Sequence, residues 1–418
     1  MQPHEHLLIV GNGMAGHRLL EILLKRERRP RRISVIGDEP IPAYNRILLS
    51  NWLAGEAERE ALTLRETAWY AKHCVELVLG ERVSEIDRGH QRVVTDTGRE
   101  LGYDRLVLAT GSRPAMPEVP GIHLVGVQGF RYLDDAMALA QASQTGQRAV
   151  VIGGGLLGLE AAEGLRKRGQ GKRGMQVTLL QRGGRLMNRQ LDTTAAELLK
   201  RELENRGLEI VTDAQLVSLE GDAHGHVRAV RLAGGRRLAA DCVVVAAGIT
   251  PNAELGRQAG LATARGITVD AWLTTSDPAI HALGECCEFQ GQGYGLVEPI
   301  WRQIEVLTAH LCGENVAGYS ERPSATKLKV SGISLYAFGP TEPDAGHEVL
   351  TYHDPQHGDY RRLLLRDDRI IGAVLYGDTA YGPWYFEQSL AGRDLGACRQ
   401  ALLFGAGDAK PLLMEKAA

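Results

Sequence analysis

Two glycine-spaced hexads carry the clearest chemistry in this 418-residue chain. Gly11, Gly13 and Gly16 lie in LLIVGNGMAG, and Gly153, Gly155 and Gly158 in AVVIGGGLLG. Each hexad follows an aliphatic run and precedes a segment of helical periodicity. Strand, glycine turn and helix in that order present backbone N–H groups and the positive end of a helix to a phosphate. The first glycine makes the turn, the second lets a pyrophosphate approach the backbone, and the third lets helix and strand pack closely. One hexad alone is weak evidence, but two in full context predict two dinucleotide sites. Met14 and Ala15 in the first and Leu156 and Leu157 in the second belong to the same cradles.

The residues that follow each unit bear on the ribose. ISVIGDEP ends its strand in Asp38 and Glu39, about 20 residues past the first hexad, where an acid binds the ribose hydroxyls; Glu39 is the expected one. The second unit ends QVTLLQR, with Gln181 and Arg182 where that acid would stand. An Arg accepts a 2′-phosphate and a Gln can still bond a hydroxyl, so NADH and NADPH both remain open.

A redox site needs an electron carrier within reach. Between the first unit and the rest, PIPAYNRILLSNWLAG contains neither cysteine nor lysine. The six cysteines, Cys74, Cys242, Cys286, Cys287, Cys312 and Cys398, show no C-x-x-C and no cluster spacing, and the thirteen histidines show no ligand spacing, so no metal site is expected. Most of the cysteines read as small core residues. The vicinal pair Cys286-Cys287 stands out by position, although adjacent cysteines make strained disulfides.

These residues need a scaffold that brings both cradles together. LVLATGSRP (106–114) and VVVAAGITPN (243–252) each place a short apolar strand before a small-residue turn and a proline. They read as strands that close each nucleotide unit and cross to the other. The fold class is therefore α/β, with two Rossmann-like dinucleotide-binding domains, one inserted in the other, and a C-terminal α+β domain. The first comprises 1–112 and 246–320, the insertion 113–245 and the last domain 321–418. The helix after the first hexad is expected to run until Pro30.

Composition excludes several classes. A net charge of −3 gives no basic field for nucleic acid, and no apolar run approaches the roughly 20 residues of a membrane span. MQPHEH leads directly into LLIV without a basic, secretory-type start, so a cytoplasmic location is expected. The basic runs KRERRPRR (25–32) and RKRGQGKRG (166–174) could dock an acidic carrier, but cations at helix C-termini are favourable without any partner.

The paired hexads, the A-T-G of Ala109, Thr110 and Gly111, and GITVDAWLTTSDPAIHALGEC (266–286) together resemble the two-dinucleotide-binding flavoproteins of the pyridine nucleotide–disulfide reductase fold. That resemblance implies FAD in the first unit and NADH or NADPH in the second. It places Gly11, Gly13, Gly16 and Glu39 on the ADP half of FAD, Val83 near the adenine, and Thr110 and Gly111 near the pyrophosphate. In the family the 266–286 segment is a strand pair leading to a Gly-Asp turn that holds the ribityl chain; here the turn is Gly284-Glu285. The helix containing Pro299 would direct its positive end at the reduced flavin. Gly153, Gly155, Gly158, Gly248 and Ile249 would line the nicotinamide nucleotide, with Glu160 orienting the carboxamide.

Within that fold, Tyr44, Arg46, Leu49 and Ser50 resemble a segment of ferredoxin reductases, which have lysine where this chain has Asn51. YNRILLS, NRQLD (188–192), YGLVEP (294–299), TKLKVSGISLYAFG (326–339) and IIGAVLYGD (370–378) are more similar to the flavin region of the NAD(P)H-dependent nitrite reductase large subunit and to electron-transfer subunits of assimilatory nitrate reductase. The resemblance implies an electron-transfer reductase without a redox-active disulfide or a classical acid–base pair. The chain reaches Ala418 without a cluster-binding or sirohaem segment, so a separate protein acceptor is expected: a nitrite or nitrate reductase subunit, a rubredoxin or a ferredoxin. A redox-sensing flavin protein with little turnover is the reading from another class. In the family the C-terminal domain packs near the flavin and often carries homodimer contacts. Trp301, Trp384 and Tyr385 could shield the flavin or be core residues.

Overall fold

Strand His6–Val10 is buried along its whole length, as expected of a parallel strand covered on both faces. In the computed structural model, which describes residues 5–169, 174–330 and 332–415, it is the middle strand of a five-stranded parallel sheet. The order is Ile280–Ala282, Arg105–Leu108, His6–Val10, Arg32–Gly37 and Val75–Leu79. Leu7 faces Ile33 on one side and Arg105 on the other. The chain leaves the middle strand toward one edge and returns to the other. This reversal opens a crevice at the carboxyl ends of the strands, where the first hexad lies.

A second parallel sheet repeats the plan, in the order Glu209–Val211, Gln176–Leu180, Arg148–Ile152, Cys242–Val245 and Val127–Gln128. Its outermost strand, Val127–Gln128, comes from the segment entering the unit, whereas the first sheet takes the equivalent strand from far downstream. Each sheet has a three-stranded antiparallel companion, Val83–Asp87 with Arg92–Thr95 and Glu100–Gly102, and Leu216–Gly221 with Val227–Leu232 and Arg237–Ala239. The two crossings between units run side by side: Ser112–Pro114 pairs antiparallel with Ile249–Pro251.

Two local expectations are corrected. The first helix spans Met14–Leu23 and ends well before Pro30. Lys25 and Arg26 close it with tight bonds to the carbonyls of Ile22 and Leu23. Beyond Leu24, Lys-Arg-Glu-Arg-Arg offers no apolar residue to bury, and helices are held mainly by such burial. Strands Ile267–Val269 and Ile280–Ala282 do not form a ladder with each other; the first pairs with Cys287–Phe289 and the second with Arg105–Leu108.

The C-terminal part is a five-stranded antiparallel sheet with Ile333–Phe338 second in order, followed by helix Gly382–Leu390. Alternation along Ile333–Phe338 sends Ile333, Leu335 and Ala337 toward Leu159, Leu165 and Leu199 of the second unit. It sends Tyr336 and Phe338 toward Trp384, Tyr385 and Leu402. The sheet thus rests on the second unit, and Trp384 and Tyr385 are core residues. Thr326 alone of the described residues of this part lines the main cleft.

Part of each basic run is engaged internally. Arg26 pairs with Glu305 and Glu314, Arg32 with Glu76, Arg166 with Glu163 and Lys167 with Glu56. Residues 170–173 of the second run lie outside the described residues. Among the described residues no helix is long and apolar enough to cross a membrane, and no group of three or more His, Cys, Asp or Glu is placed to hold a metal.

Candidate functional site

The two glycine hexads open onto one cleft of about 1170 Å³ between the parallel sheets. Gly11 has φ +117°, and a Cβ there would lie 2.2 Å from the Ala109 carbonyl oxygen; Gly153 has φ +122° and the same relation to Ala246, at 2.3 Å. The third glycines serve packing. A Cβ on Gly16 would stand 2.0 Å from the Gly11 oxygen, and one on Gly158 1.8 Å from the Gly153 oxygen. The second glycines face space: around Gly13 the nearest atom is Arg46 at 3.9 Å, and around Gly155 nothing lies within 4 Å. Turn, approach and packing are thus separated among the three glycines of each loop.

At the first loop, Glu39 accepts hydrogen bonds of 2.7 Å from the Tyr44 hydroxyl and 2.7 Å from the Arg46 guanidinium. Arg46 also lies over the Tyr132 ring at 5.0 Å. Tyr44 in turn accepts from the Leu133 backbone N–H, and burial pushes its phenol well above the ordinary range. YNRILLS therefore folds under the cleft as a brace for the acid, and Val83 completes this end.

Where the units meet, Thr110 and Asn252 exchange side-chain and backbone bonds of 3.0 and 2.9 Å. Glu285 accepts from Ser112 Oγ at 2.9 Å and from Arg131. Leu296, Val297 and Trp301, around the start of helix Val297–Leu311, form the opposite wall. Glu298 in the first turn offsets part of that helix's positive end.

At the second loop, Gln181 Oε1 accepts the Gly154 N–H at 3.0 Å. Arg182 and Arg189 line the same end and are exposed. Glu160 is part-buried, and burial pushes its carboxyl up to about 7, against a lowering bond from Ser50. Gly248 and Ile249 complete the lining between the loops.

Most of the expected positions share this cleft: Gly11, Gly13, Met14, Ala15, Glu39, Arg46, Val83, Ala109, Thr110 and Gly111 from the first unit, and Gly153, Gly155, Leu156, Leu157, Glu160, Gln181, Arg182, Gly248, Ile249 and Glu285 around the second and the junction. Gly16, Gly158, Gly284 and Pro299 stand behind the wall. Gly284 donates its N–H to Gln303 at 3.0 Å, and Pro299 is buried in its helix. Sequence reasoning missed Asn12, Arg131, Arg189 and Asn252. Asn12, inside the first hexad, could have been found; Arg131, in GFRYLDD, had no motif to mark it.

The cleft suits phosphate-bearing dinucleotides on its own evidence. Space remains beside Gly13 and Gly155, and Asn12 Nδ2, Arg46 Nε and Arg131 Nε are buried without a partner. No cysteine is among the described lining residues. The Cys286 thiol donates to the Leu108 and Leu283 carbonyls and that of Cys287 to Gly284, and burial raises both pKa values, so neither is poised as a thiolate.

Residues 5–308 match the pyridine nucleotide-disulphide oxidoreductase family, and residues 323–388 the rubredoxin NAD+ reductase C-terminal domain. The chain is 40% identical over 399 residues to the assimilatory nitrate reductase electron transfer subunit of Bacillus subtilis, covering 96% of this chain and 51% of that protein. It is 40% identical over 378 residues to the nitrite reductase, NAD(P)H type, of the same organism, covering 90% and 46%. It thus spans about half the length of these relatives. The structure of a covalent putidaredoxin reductase–putidaredoxin complex superposes with TM-score 0.86 at 28% identity, covering 100% of both chains. With its two facing cradles and a match over most of its length, the chain belongs to the pyridine nucleotide-disulphide oxidoreductase family, whose members use FAD and NAD(P)H.

Proposed function

We propose that this protein takes electrons from NAD(P)H through FAD to a separate redox protein in the cytoplasm, as the reductase component of nitrite or nitrate assimilation. The observation that carries the reading is the placement of both glycine cradles on one cleft whose described lining contains no cysteine. Bound there, nicotinamide and flavin supply the redox chemistry, a hydride inward and single electrons outward. The chain's part is to bind, orient and exclude water.

In this reading, residues 1–112 and 246–320 hold FAD, 113–245 hold NAD(P)H and 321–418 form the third domain. Gly11, Gly13, Asn12 and Arg46 take the pyrophosphate side of FAD, Glu39 its ribose and Glu285 with Arg131 the ribityl side. Gly153, Gly155 and Glu160 take the nicotinamide nucleotide. The similarity to nitrate and nitrite reductase components supports the acceptor class. A ferredoxin or rubredoxin as acceptor is the second reading. It is favoured by the C-terminal match and by the end-to-end superposition on putidaredoxin reductase.

Anaerobic stopped-flow reduction of the flavoprotein by NADH and NADPH, followed by mixing with a rubredoxin, a [2Fe–2S] ferredoxin and a nitrite or nitrate reductase catalytic subunit, tests this. Reoxidation at turnover rate by the last of these alone supports the assimilation role. Fast reoxidation by a small iron–sulfur or rubredoxin carrier alone moves the assignment to the second reading. Failure of both nucleotides to reduce the flavin sinks both.

A further inference from the structure

Resting on that reading, we propose that the hydride donor is NADPH and that Arg182 and Arg189 select it by binding its 2′-phosphate. The strand Gln176–Leu180 runs into the cleft, and the residue after it is Gln181. A carboxylate there would hold the ribose diol and repel a phosphate. Gln181 does neither with its carbonyl, which is committed to the Gly154 N–H at 3.0 Å and so ties the side chain to the glycine loop.

The surroundings carry net positive charge. The lining stretches 180–183, 187–190 and 214–216 contain Arg182 and Arg189 and no carboxylate. The nearby acid, Asp213, lies beside Gly184 and does not line the cleft. Three arginines occupy the loop after the strand, and they divide by role. Arg185 is bound to Glu342 of the C-terminal part at 2.6 Å and to Thr193 Oγ1 at 3.3 Å. Arg182 and Arg189 are exposed and have no ion-pair partner among the described residues.

The loop is also held at its far end. Asp192 caps helix Thr193–Asn205 through the Ala195 N–H and binds Arg362 at 2.9 Å, while Arg362 lies 3.5 Å from Glu342. A segment held at Gln181, at Arg185 and at Asp192, with the uncompensated guanidinium of Arg182 between the first two anchors and that of Arg189 between the last two, both on a nucleotide cleft, is a preorganised receptor for a dianion. Guanidinium suits phosphate because its planar donors match the oxygen geometry.

Calorimetric titration of the holoprotein with 2′,5′-ADP and with 5′-AMP, alongside kcat/KM for NADPH and NADH, tests the assignment. The expected result is 2′,5′-ADP binding about tenfold or more tighter than 5′-AMP, the scale of one charge-assisted bond. R182A/R189A should bring the two ligands within about twofold and collapse the NADPH:NADH ratio, mainly through KM for NADPH. Q181E should shift the ratio toward NADH. R201A, on the exposed face of helix Thr193–Asn205 and away from the cleft, should leave it in place and so separate a local phosphate contact from general surface charge. Equal binding of the two ligands, or an R182A/R189A ratio equal to that of the parent, overturns the proposal. Flavin reduced by NADH in preference to NADPH overturns the nucleotide assignment alone, whereas flavin reduced by neither removes the reductase reading and this inference with it.

Discussion

Tyr360, on strand Asp359–Arg366, donates a 2.6 Å hydrogen bond to Asp192, the fully buried acid that caps helix Thr193–Asn205. Asp192 therefore serves two neighbours, its own helix and the sheet packed on the second nucleotide unit. Y360F should cost about 1.5–3 kcal/mol, and D192A, which also removes the helix cap and the nearer of Arg362's two carboxylate partners, about 3–5 kcal/mol. Urea unfolding of the holoprotein measures both. A Y360F midpoint unchanged from the parent would mean that the contact does not tie the sheet to the helix.

Gly16 and Gly158 should separate the two dinucleotide sites. Each meets backbone oxygen at 2.0 Å or less if given a Cβ, an overlap that flexible side chains cannot relieve. G16A should purify with greatly reduced flavin absorbance. G158A should stay yellow and lose NAD(P)H bleaching. Equal flavin content and equal bleaching in both would contradict the division of labour between the loops.

Glu160 should make stability and nucleotide handling pH-dependent near neutrality. Burial raises its folded pKa from 4.5 to about 7, so the unfolded chain releases this proton first as pH rises. The group is neutral at no penalty below about pH 4.5; its destabilising contribution grows through pH 4.5–7 and is complete above. E160Q removes that titration. The difference in Tm between E160Q and the parent should therefore move in favour of E160Q from pH 5 to pH 8, and a difference constant with pH would contradict the assignment.

Arg131 should matter to flavin retention, although no motif marks it. Its guanidinium meets Glu285 while Nε remains buried without a partner. R131M should weaken FAD binding by about tenfold or more, since loss of one partner leaves Glu285 less compensated. Fluorescence of FAD released on dilution reads this directly; R131K, which keeps the charge but not the fork, should recover only part of it.

The glycine positions were legible in the sequence because their constraint is steric and local. A backbone that must turn, approach and pack within six residues admits few alternatives, and the same logic located both parallel sheets. Contacts made across the fold were harder to read. Arg131 reaches Glu285 over 154 positions, and Asp192 meets Tyr360 over 168, so spacing along the chain says nothing of either. Pro30 is a visible stop signal, but the first helix ends before reaching it because the apolar face is lost after Leu24.

The paired crossings have a consequence for how such a chain is assembled. Ala115 donates its backbone N–H to the Gly248 carbonyl at 2.9 Å, so the inserted unit begins and ends at neighbouring points. A short turn could join those points and leave every strand of the first sheet in place. The insertion is in this sense a cassette, removable or exchangeable at one seam, and the site at which a lineage could replace its hydride donor without rebuilding its flavin cradle.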